Sequence, residues 1–330
     1  MAALLKVHDV KKHYPVRKGF ALFGPRGVSL KAVDGVSVSV EENRVLGMVG
    51  ESGSGKSTLA RIMTALLKPD SGSVEFEGKN VFGLSGKELK AFRRAVQIIF
   101  QDPFASLNPR ATVFETIAEP LKIHGLVPRG QIRDKVAALL SEVGLGPDAL
   151  GRYPHEFSGG QRQRVCIARA LAVSPRLIVA DEPLSALDVS IQAQIINILA
   201  GLKARTGMSY VFISHDLRVV EYLSDEVAVM YLGRVVEHSG AEELFAAPLH
   251  PYTAGLLASA PGLDPSRKSE RQVPKGDVPS PIDIPPGCPF HPRCPKRFEP
   301  CDRVFPKLEQ PAGQQGRVVA CHLWNSYRNL

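Results

Sequence analysis

Residues Gly50-Glu51-Ser52-Gly53-Ser54-Gly55-Lys56-Ser57 fit the pattern G-x-x-x-x-G-K-[ST], a backbone loop suited to holding phosphate. Glycine inside a regular element costs ~0.5–1 kcal/mol relative to alanine, so a segment this rich in glycine needs an offsetting use. Without Cβ atoms the chain can wrap closely, successive N–H groups can point at phosphate oxygens, and the helix that follows adds the positive end of its dipole. Lys56 is then expected to reach the β- and γ-phosphates and Ser57 to offer its hydroxyl to Mg²⁺, with Thr58 closing the nucleotide-binding stretch. A plain strand-to-helix turn would not require lysine and serine at those offsets. A second constellation, Asp181-Glu182-Pro183, ends the apolar run Leu177–Ala180. An acidic pair there can be turn chemistry, but beside a phosphate loop it has the chemistry of a phosphoryl-transfer site. Asp181 would hold Mg²⁺ through water, and Glu182 would orient or deprotonate an attacking water.

A third stretch runs Phe157-Ser158-Gly159-Gly160-Gln161-Arg162-Gln163-Arg164. Ser158 with Gln161 three residues later makes a capping box for the apolar helix beginning VCIARALA. Capping leaves Gly159 and Gly160 unexplained. Glycines leading into a helix N-terminus make a second anion site, so one chain carries two phosphate-binding devices, roughly a hundred residues apart.

These residues need elements to present them. Arg44–Val49 reads as a short buried strand and Lys56–Leu67 as a helix, while the continuous apolar run Leu177–Ala180 suits a central strand of a parallel sheet. Further strands are expected at Val96–Phe100 and Tyr210–Ile213. Ile191, Ile195, Ile198, Leu199 and Leu202 fall on one face of a helix that Asp188 is placed to cap. The 330 residues suffice for one sizeable core and an appended module, with ordinary contents of apolar (44%) and charged (22%) residues. No run approaches the ~18 apolar residues of a membrane span, and the N-terminal apolar run is too short for a secretory signal. A cytosolic location is therefore expected. The net charge of +8 suits nucleotides or an anionic lipid surface, and equally a solvated basic exterior. Four of the five cysteines lie in the last 43 residues, and half of the 26 prolines follow Ala260, which places a boundary near residues 240–265.

In this order, the phosphate loop, Gln101 in IIFQDPFASLNP, FSGGQ, LIVADEP, SALD at Ser185–Asp188 and His215 in FISHD resemble the ATP-binding subunits of ABC transporters. The resemblance implies an α/β fold: a P-loop NTPase (ABC ATPase) core with an antiparallel β subdomain near the N-terminus, a helical subdomain at about 103–165, and a C-terminal Cys/Pro-rich extension. It divides the chain into a nucleotide-binding domain, 1–243, and an extension, 244–330. In that family two subunits pair head to tail, with ATP held between the phosphate loop of one and the signature of the other. Ser158, Gly159, Gly160 and Gln161 would then serve the partner's ATP. By matching position Gln101 would contact Mg²⁺ and the lytic water, His215 would hydrogen-bond the γ-phosphate, Asp188 would cross the dimer interface and Tyr14 would stack on adenine. The insertion RKGFALFGPRGVSL stretches the spacing of Tyr14, and Phe157 stands where the family more often has leucine.

PLHPYTAGLLASAP, GCPFHPRCP and the terminal VVACHLW are similar to the C-terminal region of dipeptide and oligopeptide importer ATPases, and the whole chain to their second ATPase subunit. This resemblance implies ATP hydrolysis on the cytoplasmic face of the membrane, peripherally attached, powering peptide uptake. The expected partners are a sister ATP-binding subunit, two transmembrane permease subunits and, indirectly, a solute-binding protein; no nucleic acid is expected. An importer for nickel or sugars, or a soluble ABC ATPase outside transport, are the alternatives. Cys288, Cys294, Cys301 and Cys321 are spaced C-x5-C-x6-C-x19-C. A cytosolic setting argues against stable disulfides, and the C-x-x-C knuckle of structural zinc is absent. Likeness to the subfamily implies a [4Fe–4S] cluster, for which four thiolates are the needed ligands; zinc and free thiols remain as alternatives, with His291 and His322 as spare ligands.

Overall fold

The computed structural model describes residues 3–16, 29–185, 187–259 and 276–324. Val36, Val38 and Val40 are buried and alternate with Ser37 and Ser39, a period-two pattern that makes a strand with one core face. That strand, β2 (Ser29–Glu41), pairs antiparallel with β1 (Ala3–Pro15). After β3 (Val45–Val49) and α1 (Lys56–Met63), β4 (Ser71–Phe76) and β5 (Lys79–Asn80) complete a four-stranded sheet of order β2-β1-β4-β5. This is the antiparallel region expected near the N-terminus. The insertion at 17–30 lies outside the described residues except for its last two positions.

Helix α1 is shorter than its expected extent to Leu67. Thr64 turns its hydroxyl back onto the Ala60 carbonyl at 2.9 Å, and Ala65 takes φ 55°, outside helical space. The N–H groups of Leu66 and Leu67 then fold back to the Arg61 carbonyl. Next come α2 (Gly86–Ala95), β6 (Val96–Ile99) and a helical layer of α3 (Pro103–Ser106), α4 (Val113–His124), α5 (Ile132–Glu142) and α6 (Gly159–Leu171). Helix α4 begins with a Thr112/Glu115 capping box and ends at left-handed Gly125. Helix α6 runs unbroken past Val165 into the core beneath the main sheet.

The rest of the body is β7 (Leu177–Asp181), α7 (Val189–Thr206), β8 (Ser209–Ile213), α8 (Leu217–Leu223), β9 (Glu226–Tyr231) and β10 (Arg234–Gly240). With β11 (Val318–Val319) they form a seven-stranded sheet of order β11-β10-β9-β3-β8-β7-β6. Pairing is parallel from β9 through β6 and antiparallel at β9–β10 and β10–β11. Strands β3, β7 and β8 are buried at every position, as continuous apolar runs covered on both faces require. The expected boundary at 243/244 falls inside α9 (Ala241–Ala246); α10 (Pro251–Ser259) follows. Tyr252, Cys288 and Phe290 belong to the same buried cluster as Tyr231, Leu184 and Ile195, so the C-terminal segment shares the main core.

Candidate functional site

Parallel strands in register end flush, and this collects the functional residues. Met48 of β3 and Asp181 of β7 both pair with Ile213 of β8, and Ala180 pairs with Ile99 of β6. The residues just beyond these carboxyl ends are Gly50, Glu182, Gln101 and His215, so one edge of the sheet holds all four. Two loop glycines are required by the space they leave. Gly50 has φ 151° and Gly55 φ 102°, and a Cβ would lie 2.2 Å from the Met230 carbonyl oxygen or 2.0 Å from that of Ala32, respectively. No side chain fits there.

Lys56 is 4% exposed, and its Nζ donates to the Gly50 carbonyl at 2.8 Å, the Glu51 carbonyl at 3.0 Å and Ser54 Oγ at 3.2 Å. Burial pushes its pKa down, against the pull of Glu182, Asp181 and Glu51. Ser57 Oγ donates to Asp181 Oδ1 at 2.8 Å. Burial raises the Asp181 carboxyl above its usual range, against the Ser57 hydroxyl that favours the charged form. A hydroxyl and a carboxylate oxygen in contact are the hard donors that Mg²⁺ takes. Glu182 Oε2 accepts from Gln101 Nε2 at 3.1 Å and lies 3.4 Å from His215 Nδ1. A cavity of about 380 Å³ opens beside this group, lined by Gly50, Glu51, Gln192, His215 and Ser259 among others. Ser54 is buried within the loop, Ser52 is exposed, and a Cβ on Gly53 would meet no atom within 4 Å.

The structure also places the residues expected to act elsewhere. Ser158 is the N-cap of α6: its Oγ accepts from Gln161 N at 3.4 Å, and its own N–H donates to Gln161 Oε1 at 3.1 Å. Ser158 is exposed, and among the described residues no hydrogen bond or ion pair ties 158–161 to 50–58. Gly160 has a packing reason that the sequence does not reveal: a Cβ there would lie 2.3 Å from Ile191 Cγ2 of α7, while Gly159 has only Leu187 at 3.6 Å. Asp188 occupies the N-cap position of α7, but its side chain makes no cap bond. Ile195, Leu199 and Leu202 are buried, with Ile191 and Ile198 packed at the margin, as the spacing predicts. Tyr14 is 38% exposed and pairs with Leu30, close along β2 to the Ala32 carbonyl that abuts Gly55.

Cys288, Cys301 and Cys321 are buried and Cys294 is half-buried. Burial pushes the thiols of Cys288 and Cys321 up to about 12 and raises that of Cys294, and the cysteines raise one another further by proximity. The Cys288 N–H donates to the Cys301 carbonyl at 2.8 Å. Among the described residues no three His, Cys, Asp or Glu side chains converge as one metal ion demands. The sulfurs share a neighbourhood without meeting at a point.

Three residues to which the sequence assigned no role touch the site or its support. Tyr252 accepts a hydrogen bond from the Glu51 N–H at 2.9 Å, and Arg293 donates to both Glu51 carboxylate oxygens at 2.8 and 2.9 Å. Glu237, fully buried in β10, accepts from the Leu249 and His250 N–H groups at 2.8 Å each and faces Arg317 at 3.4 Å. Tyr252 and Arg293 stand in the quoted PYTAG and HPRC stretches, but no spacing rule links either to a phosphate loop.

Comparison with known proteins follows the same outline. The family described as ABC transporter matches residues 33–185, and that described as oligopeptide/dipeptide transporter, C-terminal region, matches 236–301. The oligopeptide transport ATP-binding protein AppF of Bacillus subtilis is 50% identical, over 98% of both chains. The dipeptide transport ATP-binding protein DppF of Escherichia coli is 47% identical over 96% of this chain and 93% of its own. Among solved structures, cbiO1 of Clostridium perfringens, part of the transporter complex cbiONQ, superposes with TM-score 0.62 at 28% identity, covering 75% of this chain and 92% of its own. The cassette MJ0796, solved as a dimer with ADP and Pi, gives the same TM-score at 30% identity over 72% and 98%.

Proposed function

The chain belongs to the ATP-binding subunits of oligopeptide/dipeptide ABC transporters, and from that membership we propose how its residues divide the work. It is an ATPase that powers peptide import together with transmembrane permease components. No helix among the described residues is long and apolar enough to cross a membrane. We place the chain on the cytoplasmic face, attached through the permease subunits, paired with a sister ATP-binding subunit and served indirectly by a solute-binding protein.

The observation that carries the catalytic assignment is the contact of Ser57 with Asp181 beside the Gln101–Glu182–His215 group at one sheet edge. The loop 50–58 cradles the triphosphate of ATP, and Lys56 leaves the Gly50 and Glu51 carbonyls for the β- and γ-phosphate oxygens. Ser57, Asp181 and Gln101 would hold Mg²⁺, which would offset the phosphate charge when bound. Glu182 takes the proton of the attacking water, with Gln101 and His215 fixing its carboxylate, and His215 also donates to the γ-phosphate. Hydrolysis proceeds by direct attack, so catalysis is positioning and charge stabilisation. Tyr14 supplies an aromatic face for adenine. The Ser158–Gln161 turn, with Ser158 exposed, completes the ATP site of the partner subunit, and Asp188 lies at the interface between them.

The four C-terminal cysteines are the residues that would hold a [4Fe–4S] cluster. Their number and their shared, largely buried neighbourhood support this. Iron and sulfide in the anaerobically purified chain are the expected analysis; zinc without iron overturns it. The two-half-site reading is tested by Ser158→Arg. In the assembled transporter this variant should abolish ATP turnover while the isolated chain keeps its ATP affinity. Normal turnover in the assembly would remove the partner role of the signature.

A further inference from the structure

Glu51, the second residue of the phosphate loop, is held at three points. Its carbonyl accepts from Lys56 Nζ at 3.0 Å, its N–H donates to the Tyr252 hydroxyl at 2.9 Å, and its carboxylate takes two hydrogen bonds from Arg293 at 2.8 and 2.9 Å. The last two contacts come from the C-terminal segment, Arg293 lying 242 residues away in sequence. The Arg293 side chain is 8% exposed and that of Glu51 26%, so solvent screens the pair only in part. Tyr252 is fixed by rings: its centroid lies 4.6 Å from Tyr231 and 5.4 Å from Phe290, and those two lie 5.5 Å apart edge to face.

A carboxylate in a loop that receives a polyanion is an electrostatic fault unless something neutralises it. A bidentate guanidinium does so and also fixes the direction of the carboxylate, which a lysine could not. We propose that Arg293 is a positioning residue for nucleotide binding. It neutralises the Glu51 carboxylate, while the N–H tie to Tyr252 keeps the loop in its receiving shape, so that ATP affinity depends on the guanidinium that the C-terminal segment carries to residue 51. The inference rests on the reading of residues 50–58 as the phosphate cradle and adds a control that the ABC transporter family match at 33–185 does not contain.

The test is equilibrium binding of ATP and ADP to the full chain. Arg293→Ala should weaken ATP binding roughly tenfold, in the usual range for coupling between sites, with a smaller loss for the less charged ADP. Glu51→Gln in the Arg293→Ala background should restore most of the affinity, because the unpaired charge is gone. A role confined to anchoring the C-terminal segment would leave the double variant as weak as the single one. Unchanged ATP affinity in Arg293→Ala, or no restoration in the double variant, overturns the proposal. If Arg293→Ala does not fold, Glu51→Gln alone decides: it leaves an unpaired cation beside the loop and should tighten ATP binding severalfold, and unchanged or weaker binding overturns the idea. Lys56→Ala separates the two levels. If it too binds ATP normally, the phosphate-loop reading fails; if it loses ATP while Arg293→Ala does not, only this inference fails.

Discussion

At the β3–β8–β7–β6 end of the main sheet each functional side chain follows directly from a strand that is hydrogen-bonded to the next. At the opposite edge the C-terminal segment adds, among the described residues, the two-residue β11, and besides the packing of Tyr252 and Phe290 it is tied by polar contacts around Glu237 and Arg293. The first region is over-determined: the ladder fixes the strand ends whether or not a given side chain is present. The second is held by side chains whose removal leaves a buried group unpaired. Changing one residue should therefore alter chemistry without stability in the first region, and stability before chemistry in the second.

The largest effect should come from Glu182→Gln. Loss of a general base lowers turnover ~10²–10⁴-fold, while ATP binding and the melting temperature stay near those of the unaltered chain. Steady-state ATP hydrolysis beside a thermal melt measures both, and near-normal turnover would remove Glu182 from the mechanism. Glu237→Ala should do the reverse. It leaves Arg317 and two N–H donors without their buried acceptor, a loss of about 3–5 kcal/mol for one partner of a buried pair. Denaturant unfolding reads that loss. A change below about 1 kcal/mol, the scale of an exposed pair, would show that the C-terminal edge is as redundant as the strand ends.

The last test sharpens the contrast through pH. Burial pushes His250 down to about 3, and its Nδ1 accepts from the Tyr252 N–H at 3.0 Å, which requires the neutral ring. The unfolded chain takes up this proton below about pH 6.5 and the folded one does not. Stability therefore falls with decreasing pH between these values, by roughly 1.4 kcal/mol per pH unit at most. His250→Gln should flatten that part of a plot of unfolding free energy against pH. An unchanged slope would mean that other groups set acid stability.

The phosphate loop, the apolar strands and the Ser158 capping box were legible because each is a local pattern: glycine and lysine at fixed offsets, continuous burial, a cap three residues from its partner. The end of α1 was not, because Thr64 and Ala65 stop the helix where apolar periodicity still runs on to Leu67. Asp188 has the sequence position of a cap without the bond. Gly160 has a packing role that its place in the SGGQ stretch does not show, because α7 brings Ile191 within 2.3 Å of its missing Cβ.

The sequence by itself carried the expectation of a triphosphate site and the residues proposed to form it, since a loop touching phosphate through its own backbone is specified by contiguous residue types. Only the tertiary structure decided that Glu51 meets Arg293 and Tyr252, that Glu237 joins β10 to the segment around β11, and that the cysteines gather without converging on a single point. Those contacts depend on where distant segments cross, and their free energy comes from desolvated charge and ring packing, which no spacing within one stretch of chain encodes.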